Sequence, residues 1–96
     1  MTFHVRIRSR AREDIRDARD WYERQSPGLG DEFGRELAKV FARLETEPLI
    51  YQAVHREIRR ALTRRFPYAV YYLVDKDRVN VFRVLHAARD PREIRR

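Results

Sequence analysis

The sequence has 96 residues, of which 43% are hydrophobic and 39% are charged, and its formal net charge is +7. It contains no cysteine, which excludes disulfides, thiolate nucleophiles and cysteine-based zinc sites. No apolar run approaches the ~20 residues of a membrane helix, and the first residues do not resemble a secretion signal, so we expect a cytoplasmic protein without membrane contact. The length, with five Phe, five Tyr and one Trp, predicts that residues 1–96 form one ordered domain.

The positive charge is concentrated in the second half of the chain. Residues 1–48 contain ten basic and ten acidic residues, whereas residues 49–96 contain twelve basic and five acidic ones. Twenty of the 22 basic residues are Arg, whose guanidinium group pairs bidentately with phosphate or carboxylate. This asymmetry predicts a surface that meets an acidic macromolecular partner.

The first half predicts a strand followed by two helices. Apolar and polar residues alternate over residues 3–8, as in a half-buried strand. Ser9 is the predicted N-cap of a helix over residues 10–25, and the segment 26–28 (Ser-Pro-Gly) ends it. An apolar stripe at helical spacing predicts a second helix over residues 29–44. Because the connection is so short, we expect an antiparallel helical hairpin.

The second half predicts three antiparallel strands. After an irregular stretch at residues 50–53, residues 57–65 form a strongly basic strand. Residues 68–74 are an almost continuous apolar and aromatic run, typical of a central strand, and residues 78–86 form the last strand. We therefore predict an α+β fold of order β-α-α-β-β-β, with the helical hairpin on one face of a mostly antiparallel four-stranded sheet. Residues 87–96 form a basic tail, with room for one helical turn.

Cofactor, metal and serine-nucleophile sites are not expected. The three glycines form no phosphate-binding loop, and the three histidines His4, His55 and His86 are far apart in the sequence. Ser9 and Ser26 both lie at predicted helix ends, away from any candidate base. The acidic pairs, including Glu13-Asp14, lie at helix starts or in a turn, where the helix dipole or the turn accounts for them.

The remaining candidate for function is a basic cluster. Its members are Arg59, Arg60, Arg64, Arg65, Arg83, His86 and Arg89. Strand alternation places Arg60 and Arg64 on one face and Arg59 and Arg65 on the other. Such a cluster suits an RNA backbone, with His86 as base or acid in attack by the 2′-OH. It equally suits DNA phosphates or an acidic protein tail, and His86 also fits a histidine at the edge of the core.

Four segments occur in a specific order along nearly the whole chain. They are Ala11-x-x-Asp14-Ile15 with Trp21-Tyr22-Glu23; Leu29-Gly30-x-x-Phe33; Ile58-Arg59-Arg60 with Arg65-Phe66-Pro67-Tyr68-x-Val70-Tyr71-Tyr72; and Val84-Leu85-His86-Ala87-Ala88-Arg89-Asp90-Pro91. In this combination the sequence resembles the RelE/ParE superfamily of toxins from type II toxin–antitoxin systems. The resemblance implies the same fold. It also implies an acidic cognate antitoxin, ParD-like or similar, that forms a hetero-oligomer with the chain.

The resemblance implies one of two activities. RelE-like members enter the ribosomal A site and cleave mRNA, whereas ParE-like members poison DNA gyrase and are not nucleases. The ribonuclease pattern matches Arg60 and Arg89, but its second arginine falls on Ala69 and its C-terminal tyrosine has no counterpart. His86 is followed by Ala87, where other ribonuclease members have tyrosine. These differences remove transition-state charge stabilisation and a substrate platform, so the resemblance favours the ParE-like branch.

Three functions remain open. We predict a ParE-like toxin that inhibits DNA gyrase through its basic surface without catalysis and contacts its antitoxin through Trp21, Tyr22 and Phe41. The alternative is a ribosome-dependent mRNA endoribonuclease that uses Arg60, Arg65, His86 and Arg89. A third possibility is a member that only binds its antitoxin, or a nucleic-acid-binding protein without toxicity.

Overall fold

The computed structural model describes residues 2–88. Its elements are β1 (His4–Ile7), α1 (Ser9–Gln25), α2 (Leu29–Leu44), β2 (Ala53–His55), β3 (Ile58–Leu62), β4 (Tyr68–Asp75) and β5 (Arg78–His86). Within this part of the chain the strands form one five-stranded sheet in the order β1-β5-β4-β3-β2. Only the β1–β5 pair is parallel. The predicted α+β fold, with a strand, a helical hairpin and a mostly antiparallel sheet, is confirmed.

The structure differs from the sequence-based expectation at three local points. A short strand, β2, follows the irregular stretch and pairs with β3 as the edge of the sheet. The basic strand ends at Leu62 instead of residue 65, because the chain turns at Thr63. The hydroxyl of Thr63 donates to the carbonyl oxygen of Phe66, and its backbone N–H donates to that of Tyr68. Ser9 is the first residue of α1 instead of its N-cap, and Arg8 occupies the cap position without a side-chain bond to the helix.

The turn between the helices depends on two glycines and one carboxylate. Gly28 has φ of 88°, a left-handed conformation that glycine adopts without steric cost. The Glu23 carboxylate accepts hydrogen bonds from the backbone N–H groups of Gly28 (2.9 Å) and Gly30 (3.1 Å), which satisfies amides at the start of α2. A Cβ atom on Gly30 would lie 2.8 Å from the carbonyl oxygen of Arg19, so this glycine lets the two helices approach closely.

Apolar residues fill both faces of the sheet. The main core lies between the sheet and the hairpin and includes Phe33, Leu37, Val70, Tyr72 and Val81. A second cluster occupies the opposite face, with buried residues Ile58, Ala69, Tyr71, Phe82 and Leu85. This division follows from the alternation of side chains along β4. Within residues 2–88, neither helix is long and apolar enough to cross a membrane.

Candidate functional site

The loop between β3 and β4 carries two of the predicted arginines. Arg64 is exposed and lines a cavity of about 410 Å³. The other lining residues are Glu36, Lys39, Val40, Arg43, Tyr51 and Leu62. Nη1 of Arg65 donates a hydrogen bond to Oε1 of Glu32 over 2.8 Å, and this bond raises the pKa of the guanidinium. The loop therefore presents one arginine beside a cavity and one bound to an acidic partner on α2.

An aromatic cluster lies beneath this loop. Tyr22 of α1 packs against Phe66, with ring centroids 4.8 Å apart, and against Phe33 at 5.2 Å. Tyr68 packs against Phe33 at 5.0 Å. Burial raises the pKa of both Tyr22 and Tyr68. Their phenols therefore stay protonated at neutral pH and are available as hydrogen-bond donors, not as bases.

His86 and Trp21 lie at the exposed margin of this cluster. The His86 ring is 5.7 Å from that of Tyr68, and its Nδ1 accepts a hydrogen bond from the backbone N–H of Ala88 over 3.1 Å. This bond places the proton of the neutral ring on Nε2. Trp21 is half exposed and contacts the Tyr22 ring edge-on at 5.1 Å. We call the region formed by Trp21, Tyr22, Tyr68 and His86 the aromatic end.

Two of the predicted arginines on the sheet lie on opposite faces. Arg59 points toward the helical side, where its Nη1 donates to the carbonyl oxygens of Tyr51 (2.6 Å) and Leu49 (3.4 Å). It fastens the segment that follows α2 to the sheet. Arg60 is partly buried on the face of the second cluster, where Tyr71 is its cross-strand partner.

Arg83 is held in an internal ion pair. Its Nε and Nη2 donate to the two carboxylate oxygens of Asp14 over 2.8 and 3.2 Å, and the hydrogen bond to this carboxylate raises the pKa of the guanidinium. Asp14 also accepts the backbone N–H of Val84 over 2.9 Å, close to the irregularity in the β4–β5 register. The sequence predicted that Asp14 compensates the helix dipole. In the structure it instead bonds to β5 at Val84, past the point where β1 stops pairing with that strand.

The predicted site residues therefore fall into separate groups. Trp21, Tyr22 and His86 lie at the aromatic end, and Arg65 adjoins it with its guanidinium carbon 5.3 Å from the centre of the Phe66 ring. Arg64 lies in the same loop as Arg65. Phe41 lies further along α2, half-buried against the main core, and Arg89 lies outside the described residues. The acidic partners of the arginines were missed in the sequence, because they are distant along the chain and no local pattern identifies them. Among the described residues, no group of three or more His, Asp and Glu side chains is placed to hold a metal ion.

Comparison with known proteins identifies the family of the chain. A family model described as the ParE toxin of the type II toxin–antitoxin system parDE matches residues 5–91. A search of curated protein sequences found no match to this chain.

Solved structures show the same fold. The chromosomal ParDE system of Pseudomonas aeruginosa contains a chain with a TM-score of 0.79 and 12% identity, covering 88% of this chain and 96% of that one. The RelBE2 complex of Mycobacterium tuberculosis has a TM-score of 0.63 and 23% identity, covering 90% and 99%. An archaeal RelE–RelB complex from Pyrococcus horikoshii has a TM-score of 0.59 and 16% identity, covering 94% and 100%. Because the ParE family model spans nearly the whole sequence, the chain belongs to the ParE toxin family of type II toxin–antitoxin systems.

Proposed function

We propose that this toxin inhibits DNA gyrase by binding it, without chemistry of its own. The observation that carries the proposal is the match of the ParE toxin model to residues 5–91. The arrangement of the basic residues supports it. Arg60 lies on the face of the second cluster, whereas His86 packs against Tyr68 on the helical side. A general acid or base and its charge-stabilising partner must reach the same reacting group, and Arg60 and His86 do not converge. Arg65, the other described arginine of the ribonuclease set, is paired with Glu32.

The proposed gyrase-binding surface combines the β3–β4 loop and the aromatic end. Arg64 and His86 are exposed there, and Arg65 is exposed although it is paired with Glu32. We leave Arg59 and Arg83 out of this surface, because their guanidinium groups are bonded within the protein, to the carbonyl of Tyr51 and to Asp14. Charged residues at the margin of an interface act mainly on association rate and on salt dependence.

The proposed antitoxin is acidic, and we place its amphipathic segment in the cavity between α2 and β3. Val40, Tyr51 and Leu62 supply apolar surface there, and Leu62 is 49% exposed. Lys39 and Arg64 supply positive charge at its margin. The solved relatives are complexes named as toxin with antitoxin, which supports a partner of this kind. Trp21, Tyr22 and Phe41 remain predicted antitoxin contacts.

The test is gyrase supercoiling and cleavage-complex formation with the purified toxin, with and without its antitoxin. We expect loss of supercoiling and trapped linear DNA, both relieved by antitoxin. The double variant R64Q/R65Q should lower potency by about tenfold or more, equivalent to about 1.4 kcal/mol. The control R56Q/R78Q removes the same charge from two exposed arginines outside this surface, and it should leave potency unchanged.

Other results would refute the proposal. Unchanged supercoiling at every toxin concentration excludes gyrase as the target. Codon-positioned cleavage of translated mRNA, abolished by Arg89→Ala, would instead establish the ribonuclease function. Intact transcripts, unchanged gyrase and normal growth would leave only antitoxin binding.

A further inference from the structure

The first half of the chain is electrically balanced, but the charges on α1 are separated in space. At about 100° per residue, Arg12, Arg16 and Arg19 fall within an arc of about 60° on the helix. Glu13, Asp17 and Asp20 occupy a second arc of the same width, centred roughly 100° away. This first arc is therefore basic from Arg12 to Arg19, although the summed charge of residues 1–48 is zero. Glu23 lies in the same arc one turn further on, where its carboxylate accepts the backbone N–H groups of Gly28 and Gly30.

The basic arc continues past the start of α1 to the edge of the sheet. A cavity of about 340 Å³ is lined by Arg6, Ile7, Arg8, Ser9 and Arg12. A neighbouring cavity of about 360 Å³ is lined by Arg12, Ile15, Arg16, Arg19 and Asp20. Arg12 lines both cavities, so the two form one continuous surface. We call Arg6, Arg8, Arg12, Arg16 and Arg19 the arginine ridge, and all five are exposed.

Most of this positive charge is not neutralised by the protein. Among the ion pairs of the described residues, only Arg19 of the ridge has a carboxylate partner, Asp31 at 2.7 Å. Nε of Arg12 donates to the carbonyl oxygen of Ile7 over 3.0 Å, which fixes its side chain across the β1–α1 junction without removing its charge. Asp20 is the one acidic residue among those that line the two cavities.

The side chains that line the ridge indicate which acidic partner fits it: a protein segment, a single-stranded nucleic acid or a duplex. The core of a protein–protein interface is apolar and depleted in charge, whereas among residues 2–88 the only large apolar side chains lining the ridge are Ile7 and Ile15, both partly buried. In this described part of the chain no aromatic side chain lines the ridge as a stacking platform for single-stranded nucleic acids. Closely spaced guanidinium groups suit phosphates, which they contact without reading sequence.

We propose that the arginine ridge binds the phosphate backbone of duplex DNA. The ridge lies along α1 and the β1 edge, separate from the β3–β4 loop that we assign to gyrase. Binding is independent of sequence and depends strongly on salt, because each arginine that neutralises a phosphate releases a counterion. The proposal does not rest on gyrase inhibition, since it concerns DNA alone.

The test is fluorescence anisotropy of a short labelled DNA duplex with the purified toxin over a series of salt concentrations. The double variant R12Q/R16Q should make the negative slope of log K against log salt shallower by about 1.8, or about 0.9 for each phosphate that the variant no longer neutralises. The control R10Q/R24Q changes the net charge equally on the mixed-charge face of the same helix, and its slope should change by less than about 0.5. Thermal melts confirm that each variant is folded. R8Q/R16Q provides a second ridge variant that keeps the bond from Arg12 to Ile7.

Three results would overturn the proposal. An equally shallower slope in the ridge and control variants would mean that DNA responds only to net charge. Tighter binding of the corresponding single strand than of the duplex would assign the ridge to single-stranded nucleic acid. Labelled polyglutamate serves as a second probe: if R12Q/R16Q lost binding to it but kept DNA binding, the ridge would be assigned to an acidic protein segment. The assay contains no gyrase, so its failure is distinguishable from failure of the gyrase proposal.

Discussion

Replacement of Asp14 by alanine should destabilise the protein more than any change at an exposed acidic residue of α1. The carboxylate bonds to Arg83 through both oxygens and accepts the backbone N–H of Val84. The side chains of Arg83 and Asp14 are only 14% and 10% exposed. Removal of the carboxylate therefore leaves a largely buried cation and a backbone amide without their acceptor.

The magnitude follows from these interactions. Breaking a buried ion pair by removing one partner costs about 3–5 kcal/mol, and an unsatisfied buried amide costs about 1–3 kcal/mol. Because both side chains keep some access to water, we expect the total to fall below the sum of the two lower ends, at about 3 kcal/mol. For a domain of this size, this decrease in stability lowers Tm by about 12–24 °C. Asp14→Asn should cost less, since its amide oxygen still accepts the N–H of Val84.

The assay is urea denaturation followed by circular dichroism, with Asp17→Ala as control. Asp17 is exposed on the same helix, and its replacement should change stability by less than about 0.5 kcal/mol. The double variant D14A/R83M should recover part of the stability, because no unpaired cation remains. If Asp14→Ala costs no more than Asp17→Ala, the ion pair does not stabilise the fold and the reasoning fails.

Two further predictions concern helix packing and alkaline pH. Gly30→Ala should lower stability by about 1–3 kcal/mol, because its Cβ would lie 2.8 Å from the backbone oxygen of Arg19. The Cβ of Gly34→Ala would contact only the movable guanidinium of Arg19, at 3.3 Å, so this variant should raise stability by up to about 1 kcal/mol through helix propensity. Urea denaturation measures the stability of both variants, and a change of the same sign in both would contradict the packing argument. Burial raises the pKa of Tyr72, whose hydroxyl donates to the carbonyl of Pro48. In the unfolded chain the Tyr72 phenol ionises at a lower pH than it does in the folded protein. The contribution of Tyr72 to stability is therefore complete below about pH 10 and falls above it by up to about 1.4 kcal/mol per pH unit. Denaturation at pH 8 and pH 11 should show a smaller decrease in Tyr72→Phe than in the original protein; an equal decrease would exclude Tyr72 as its source.

Local patterns in the sequence determined most of the secondary structure. The two apolar stripes predicted helices that the structure confirms as α1 and α2, because the spacing of apolar residues is set by the geometry of the helix itself. The apolar run beginning at Tyr68 predicted the central strand β4 for a similar reason. The three-residue strand β2 was missed, since so short a segment gains its hydrogen bonds only from the neighbouring strand. Charge separation along α1 was also present in the sequence, but sums over each half of the chain concealed it.

The family and the fold were thus accessible from the sequence, whereas the state of each charged side chain was decided by tertiary structure. Arg83 and Arg64 were both predicted members of the basic cluster, yet one is paired with Asp14 and the other is exposed beside a cavity. Asp14 is 69 residues from Arg83 along the chain. Burial of a guanidinium against an acidic side chain, as at Arg83, keeps it from a macromolecular partner, and this depends on which distant segments the core brings together.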